Sequence, residues 1–317
     1  MSQATVSRVV NGNVGVSEPL RDRVMSVVAE LGYRRDGLAR GLRRQVNDVL
    51  GLLVPDIGNP FFTALVRGAE DAALAAGLLT VLCNTDENLA KERKYFDVLL
   101  DQRVAGAIVA PVSDRSDVGD LLARGTPIVA VDRRLNGVEV DTVTLDNVAG
   151  ARQATLFLHE QGYQRVAMIT GLGRTTTGKD RRTGYRQAMR SLKKPVPGGY
   201  TVDGFNSVEG GYAATQKLLG GENPPDALFI GNNLMAIGAL QALADAQLRP
   251  TADIGLLSFD DLPWGTDPAH AIPTVGQPAY RMGRVAAELL LARIADPAAP
   301  VKKIVLEPEL RPAPTDE

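Results

Sequence analysis

From Val49 onward, short runs of consecutive apolar residues alternate with longer segments in which apolar residues recur at helical spacing. A continuous apolar run bounded by turn residues is typical of a strand that is buried on both faces. Such runs include "VLGLLVPD", "GAIVAP", "PIVAVD", "RVAMITG", "ALFIG" and "IGLLSFDD". Helices are predicted between them, among them 63–76, 149–161, 181–192 and 282–294. This alternation predicts right-handed βαβ units and parallel sheets.

The predicted strands are too many for one sheet, so we predict an α/β core of two doubly wound parallel-sheet lobes in residues 49–317. In doubly wound folds, ligands bind beyond the carboxyl ends of the strands. Polar residues stand at such ends in the stretches "PDIGNPFF", "VDRR", "IGNN" and "SFDD". We therefore expect a site for a small molecule between the two lobes.

The first fifty residues have a different pattern. The opening stretch "SQATVSRVVNG" places Val6, Val9 and Val10 at helical spacing, so we expect these valines to face inward. A second helix is predicted to begin near Ser17 and to end at Gly32. A helix like the first can present its amino-terminal side chains to base edges in the major groove of DNA.

Charge and composition narrow the function classes. Residues 1–50 carry eight Arg and five acidic residues, whereas the whole chain has a net charge of −2. A basic segment of this kind suits contact with phosphates. A lone cysteine, Cys83, excludes an internal disulfide framework, and His159 and His270 have no metal-site spacing. Without a long apolar run or a secretory signal, the sequence predicts a cytoplasmic protein that does not contact a membrane.

Several motifs in order carry a resemblance to a known family. The opening stretch is followed by "VSEPLRDRVMSVVAELGYRRDGLARGL", then by "GLLVPDIGNPFF", "VDRR", "LDNVAGA", "GNNLMAIG" and "SFDD…IPTVGQP". In this order they closely resemble the lactose-repressor (LacI/GalR) family of bacterial transcription regulators. The resemblance implies a small all-α helix-turn-helix head, a hinge helix, and a core like the periplasmic sugar-binding proteins. We assign the partial head to residues 1–36, the hinge helix and linker to 37–48, and the core to 49–317.

The resemblance also implies which residues contact DNA. The hinge "ARGLRR" would fold when two chains meet on DNA, and Leu42 matches an apolar wedge that enters the minor groove. The DNA-binding residues predicted in this way are Gln3, Ala4, Thr5, Ser7, Arg8, Asn11, Leu42 and Arg43.

In the core, the resemblance implies a site for a polyhydroxylated molecule. Carboxylates and amides hold sugar hydroxyls, and an aromatic face covers the ring. The predicted effector-binding residues are Asn59, Phe61, Phe62, Asp132, Arg133, Arg181, Phe205, Asn232, Asp260 and Gln277. Phe205 stands one residue from the usual spacing. Asn233 replaces the Asp that is more common in the family.

Two alternatives compete with a regulator. The stretch "GRTTTGKD" (173–180) follows a predicted strand and matches a phosphate-binding loop, except that Asp180 stands where Ser or Thr would bind magnesium. A sugar-binding protein serving a transporter would share the core, but the Arg-rich head and the missing export signal oppose it. We predict a regulator and not an enzyme, acting as a repressor with activation as the alternative, and needing no cofactor or metal. Its expected partners are palindromic operator DNA, a sugar-like effector and a second copy of the chain. A dimer is predicted and not a tetramer, because the tail "EPELRPAPTDE" has no leucine heptad.

We also expect the sequence to begin inside its DNA-binding head. In the LacI/GalR family a first helix and a tight turn precede the stretch matched by residues 2–11, and Val commonly stands where this sequence has Met1. A GTG codon encodes Val internally but is read as Met at a start. We hypothesise that the natural protein starts upstream of Met1.

Without that first helix, the remaining head helices have less apolar surface to pack against, so we predict weak or no operator binding by the chain as written. A mobility-shift assay beside a chain extended by the first helix measures the difference. We expect only the extended chain to prefer a palindromic duplex to random DNA. Peptide sequencing that found the native terminus at Met1 would contradict the start-site hypothesis.

Overall fold

The structure is a computed structural model that describes residues 5, 6, 9, 17–30, 47–262 and 272–313. It divides into two compact units, Met1–Asn47 and Asp48–Glu317, which we describe separately.

In the first unit, Thr5, Val6 and Val9 are helical and helix α1 spans Glu18–Glu30. Val9 is buried as expected, but the expectation for Val6 was wrong because its exposed fraction is 37%. Three helical positions correspond to about 300° of rotation, so Val6 lies at the margin of the stripe that contains Val9. The other predicted DNA contacts lie outside the described residues: Gln3, Ala4, Ser7, Arg8, Asn11, Leu42 and Arg43.

The second unit contains two α/β lobes, as predicted. Within the described residues, six strands form the first sheet in the order β11-β5-β4-β3-β1-β2. Their bounds are β1 Asn47–Val54, β2 Leu79–Asn84, β3 Val104–Val109, β4 Ile128–Val131, β5 Asp141–Leu145 and β11 Lys303–Leu306. The pairs β1–β2, β3–β4, β4–β5 and β5–β11 are parallel.

Six further described strands form the second sheet in the order β12-β10-β9-β8-β6-β7. Their bounds are β6 Val166–Thr170, β7 Thr201–Asp203, β8 Ala227–Ile230, β9 Gly255–Phe259, β10 Thr274–Gly276 and β12 Glu309–Arg311. Strand β12 pairs antiparallel with β10, whereas β6 to β10 pair in parallel. The prediction of two parallel-sheet lobes is confirmed, with one antiparallel strand at an edge.

Helices cover the sheets of both lobes. Helices α2, α3, α4 and α9 belong to the first lobe, and α5 to α8 belong to the second. Their bounds are α2 Pro60–Ala75, α3 Leu89–Asp101, α4 Gly119–Ala123, α5 Asn147–Glu160, α6 Thr176–Ser191, α7 Val208–Leu219, α8 Asn233–Asp245 and α9 Ala279–Ala295. None of the described helices has both the length and the apolar content needed to cross a bilayer.

The described backbone passes between the lobes at three places, which we call the crossovers. They are the links from β5 to α5 (145–147), from β10 to α9 (276–279) and from β11 to β12 (306–309). Helix α9 and strand β11 thereby return to the first lobe after most of the second lobe has formed. Any change in the angle between the lobes must occur at these short links.

Strand β5 was not predicted from the sequence. Three of the five residues in its segment "DTVTL" are polar, but the structure buries all five. The cost of burying Asp141 is offset by two hydrogen bonds from Arg293, at 2.8 and 3.0 Å, and one from the Lys302 N–H. Because these partners lie about 150 residues away, the local pattern did not reveal the strand.

Paired glycines allow helices to pack at very short distance. A Cβ atom on Gly283 of α9 would lie 1.8 Å from the Leu65 carbonyl oxygen of α2, and one on Gly238 of α8 would lie 1.9 Å from the Val208 carbonyl oxygen of α7. No side chain fits at either contact. Each lobe is therefore a tightly packed body, in which small changes of shape are costly.

Candidate functional site

Two aspartates occupy equivalent places in the two lobes. Asp132 follows β4 of the first sheet, and Asp260 follows β9 of the second. Both have left-handed backbone angles, with φ of 64° and 72°, and both are nearly fully buried. Their backbone N–H groups donate to the neighbouring strands, to Val143 O and Val275 O respectively, each at 2.9 Å. The fold thus directs a buried carboxylate from the carboxyl edge of each sheet.

Arg181 of α6 is the most heavily partnered of the predicted site residues in the second lobe. Its Nε donates to Asn147 Oδ1 at 2.8 Å and its Nη1 donates to the Gly231 carbonyl at 2.6 Å. Nη1 lies 4.0 Å from Asp260 Oδ2, and the guanidinium carbon lies 3.7 Å from the centre of the Phe259 ring. The ring and these acceptors fix the plane of a charged group that is 7% exposed.

Asp260 is held from both sides and remains hard to ionise. Gln277 Nε2 donates to Asp260 Oδ1, opposite the Arg181 contact. Burial raises the pKa of Asp260 to about 6, although Arg181 and the Gln277 hydrogen bond act to lower it. Among the described residues no donor reaches the buried Gln277 Oε1. A buried acceptor of this kind calls for a partner from solvent or from a ligand.

The sequence missed a link between this site and the crossovers. Asn147 stands in the first crossover and Gln277 in the second, and both contact the Arg181–Asp260 pair. The stretch "LDNVAGA" contains Asn147 and was noted only as a family motif. The polar groups at this site are therefore hydrogen-bonded to the segments that link the lobes.

Arg133 forms the corresponding charged cluster in the first lobe. Its Nη2 and Nη1 donate to the two carboxylate oxygens of Glu87 at 2.7 and 3.0 Å, and Nη1 also donates to the Pro111 carbonyl at 3.0 Å. Arg133 Nε lies 3.3 Å from Asp132 Oδ2. Burial raises the pKa of Asp132, and the adjacent Arg133 opposes that shift. Glu87 was not among the predicted site residues.

Two asparagines join the lobes through a reciprocal amide pair. Asn59 Nδ2 donates to Asn233 Oδ1 at 3.1 Å, and Asn233 Nδ2 donates to Asn59 Oδ1 at 3.0 Å. Asn59 also caps α2 by accepting from the Phe61 N–H, and Asn232 caps α8 by accepting from the Met235 N–H. A carboxylate at position 233 could not donate to Asn59, which gives the unusual Asn233 a structural role.

The predicted aromatic residues lie in contrasting surroundings. Phe61 and Phe62 are 8% and 5% exposed and pack edge to face with ring centres 4.9 Å apart. The Phe62 ring lies 5.8 Å from the Arg133 guanidinium carbon, so this ring is close to the polar cluster. Phe205 is 62% exposed and has a φ of 55°. Stacking of these rings on a ligand stays a prediction.

The stretch that resembles a phosphate loop is engaged in contacts between the lobes. Lys179 Nζ donates to Asp114 Oδ2 at 2.5 Å, and Asp180 pairs with Arg134 at 2.8 Å. In a phosphate loop, the Lys ammonium group would bind phosphate oxygens. The described residues also contain no group of three or more His, Cys, Asp or Glu side chains placed to hold a metal ion.

Both parts of the chain match family models. Residues 1–36 match the model for bacterial regulatory proteins of the lacI family. Residues 47–305 match the model for periplasmic binding proteins and the sugar-binding domain of the LacI family.

Individual proteins agree with these matches. The ribose operon repressor of Escherichia coli is 31% identical over 312 residues, which cover 98% of this chain and 94% of the repressor. The crystal structure of a LacI family regulator from Enterococcus faecium with bound ribose is 27% identical, with a TM-score of 0.74, and the match covers 84% of this chain and all of that one. A complex of the regulator CelR with cellobiose is 28% identical, with a TM-score of 0.77, and the match covers 99% of this chain and 96% of that one. The chain therefore belongs to the LacI family of bacterial regulatory proteins.

Proposed function

We propose that this protein is a transcriptional repressor that binds an uncharged sugar between its two lobes and thereby changes its affinity for operator DNA. The observation that carries the proposal is the buried cluster of Asp132, Arg133, Arg181 and Asp260 at the facing edges of the two sheets. It offers fixed donors and acceptors at the carboxyl ends of strands, where ligands of such folds bind. We infer that it acts in the cytoplasm, on DNA, without a catalytic role.

Balanced charge favours an uncharged ligand. The described cations in this cluster and next to it are Arg133, Arg174 and Arg181, and the carboxylates are Glu87, Asp132 and Asp260. Glu92 adds a buried carboxyl group whose pKa is raised by burial. A ligand phosphate or carboxylate would therefore enter a site whose cations are already paired. Sugar hydroxyls can instead accept from arginine and donate to aspartate.

Ribose is the first candidate. The similar Escherichia coli protein is named for the ribose operon, and the Enterococcus faecium structure holds ribose. We assign sugar contacts to the ten effector-binding residues expected from the sequence, with Asp132 and Asp260 accepting from hydroxyls. Phe205 is the least supported of them, because its ring is exposed.

The crossovers supply a route from sugar to DNA. A sugar that hydrogen-bonds to Asp260 would compete with Arg181 and Gln277 for that carboxylate. Arg181 contacts the first crossover through Asn147, and Gln277 lies in the second. A ligand that prefers one arrangement of the lobes shifts the protein toward it. If that arrangement weakens operator binding, the operator weakens sugar binding by the same factor.

An exposed edge strand supports a homodimer. Strand β2 pairs only with β1 among the described strands, and its Leu79, Val81 and Leu82 are 64%, 44% and 45% exposed. Leu74, near the end of α2, is 60% exposed. An uncovered apolar edge strand is prone to pair with another chain. We infer that a second copy covers this edge, and a two-fold dimer of heads would read a palindromic operator.

Calorimetry with D-ribose, cellobiose and ribose 5-phosphate tests the sugar site. We expect D-ribose to bind, ribose 5-phosphate to bind at least about tenfold more weakly, and Arg181→Lys to weaken D-ribose binding at least about tenfold. Lysine keeps the charge but cannot donate to Asn147 and Gly231 in the planar geometry of arginine. Arg186→Lys, on the exposed face of the same helix, is the matched control.

The effect of the same sugars on the affinity for operator DNA tests regulation. A chain that carries a complete helix-turn-helix head, bound to a palindromic duplex selected from a random pool, should change its affinity for that duplex when the calorimetrically active sugar is added. A sugar that binds but leaves the duplex affinity unchanged would contradict regulation by that sugar. Failure of all neutral sugars to bind would contradict the proposed ligand class.

Lowering the pH should weaken sugar binding. Ionised Asp260 accepts from hydroxyls, and its pKa is about 6, so protonation below that value removes acceptor capacity. If binding requires the ionised form, affinity for the active sugar should fall about tenfold from pH 7 to pH 5. Calorimetry at each pH measures this. Asp260→Asn should bind more weakly and show no such dependence, while a flat wild-type profile would refute the role of Asp260.

Leu79→Lys should make the protein monomeric. The substitution places a charge on the exposed edge of β2, where burial against a second copy would cost free energy. Light scattering after gel filtration gives the mass in solution. Val305→Lys, 58% exposed on the other edge strand of the same sheet, is the control and should remain dimeric. A dimeric Leu79→Lys variant would place the interface elsewhere.

A further inference from the structure

The link between β6 and α6 reaches from the second lobe onto the first. Arg174 Nη2 donates to the Glu87 carbonyl at 2.7 Å, and Arg174 Nε donates to the Val112 carbonyl at 3.1 Å. The Asp114 N–H in turn donates to the Arg174 carbonyl at 3.0 Å. One residue of the second lobe thus makes three hydrogen bonds to two loops of the first.

Lys179 adds an ion pair between the same two lobes. Its Nζ donates to Asp114 Oδ2 at 2.5 Å, and the Asp114 side chain is 5% exposed. Asn136 Nδ2 also donates to Asp114 Oδ2, at 2.8 Å, and holds the carboxylate within its own lobe. The acceptor is therefore held in place within the first lobe, so forming the pair orders only the half-exposed Lys179 side chain.

Glu87 connects this boundary to the proposed sugar site. Its carboxylate binds both terminal nitrogens of Arg133 within the first lobe. Across the boundary, Asn206 Nδ2 lies 3.4 Å from Glu87 Oε1 and Arg174 Nη2 lies 3.7 Å from Glu87 Oε2. A shift of Glu87 would therefore alter both the position of Arg133 and the contact between lobes.

The loops that meet here occupy equivalent positions in the two sheets. Glu87 follows β2 and Asn206 follows β7, each an edge strand. Both loops contain two successive non-glycine residues with positive φ, 51° and 52° at Asp86 and Glu87, and 55° and 58° at Phe205 and Asn206. Such conformations are uncommon for side-chain-bearing residues and point to loops that are held by their surroundings.

We propose that Glu87, Asp114, Arg174 and Lys179 form a lip clamp, a set of positioning residues that hold the lobes together and set how long a ligand stays bound. The clamp rests on the proposed sugar site for its effect on ligand release. Its residues do not belong to the predicted sugar contacts. Glu87 couples the two functions, because the carboxylate that meets Arg174 and Asn206 also orients Arg133.

Separation of the lobes must break the clamp, whereas entry of a ligand into separated lobes need not involve it. Loss of clamp contacts should therefore raise the dissociation rate. Because the clamp also closes part of the ligand-free population, its loss should raise the association rate as well, but by a smaller factor. Arg174→Gln removes the charge and the two long-reach donors but leaves the Glu87–Arg133 pair in place. Glu87→Gln weakens both the Glu87–Arg133 pair and the contact between the Glu87 carboxylate and Arg174.

Stopped-flow measurement of D-ribose release provides the first test. We expect Arg174→Gln to raise the dissociation rate about tenfold, because two hydrogen bonds to backbone carbonyls and a charge contact with the Glu87 carboxylate are lost. Lys179→Gln should raise it by a smaller factor. The Arg174→Gln and Glu87→Gln effects should combine to less than their product, since both variants remove the contact between the Arg174 guanidinium and the Glu87 carboxylate. Arg93→Gln is the control, because Arg93 pairs with Asp117 and Asp120 inside the first lobe, at 3.1 and 3.0 Å.

Spin-label distances provide a test that needs no sugar. Labels on Asp101→Cys in the first lobe and Gln187→Cys in the second report their separation, and the native Cys83 is 2% exposed and shielded from labelling. We expect a larger population at the shorter inter-label distance in the ligand-free protein than in its ligand-free Arg174→Gln form. Equal distance distributions for the two, or release rates equal to that of Arg93→Gln, would overturn the clamp. If D-ribose does not bind at all, the distances still decide on the clamp, and only the sugar assignment fails.

Discussion

The burial of Arg181 is the constraint on which the ligand site depends. A guanidinium group removed from water is stable only with hydrogen-bond acceptors and a compensating charge. Three separate segments supply them, through Asn147, the Gly231 carbonyl and Asp260. Because Asn147 belongs to a crossover, and Asp260 is bound to Gln277 of another, satisfying one buried charge also fixes the backbone between the lobes.

Rigid lobes make such a network effective. Helix pairs in both lobes approach so closely that Gly283 and Gly238 have no room for a side chain. Packing of this density resists gradual deformation, so under the proposed function a change in the polar contacts would be expressed as a rotation of whole lobes at the crossovers. A small ligand can then alter the distance between parts of the protein that it does not touch.

Periodicity and strand-end chemistry predicted much of the fold, whereas the roles of the predicted site residues stay a prediction. Continuous apolar runs indicated the buried parallel strands. The resemblance of the motifs indicated Asp132 and Asp260, which follow strands of the two sheets, and Arg181, which lies on helix α6 near Asp260. Strand β5 was missed because Asp141 makes it look exposed, and only the distant Arg293 offsets the cost of burying that carboxylate. The predicted inward-facing stripe of the first helix also wrongly included Val6, which is exposed.

The sequence by itself determined the class of fold, the family and the types of residue available to a ligand, because these depend on local spacing and on motifs in order. It did not determine the partners of Glu87, Arg174 and Asn233. Their contacts join residues that are far apart in sequence, at distances such as the 2.7 Å from Arg174 to the Glu87 carbonyl. Only the tertiary structure decides which side chains meet there, since that depends on how two independently packed sheets come to face each other.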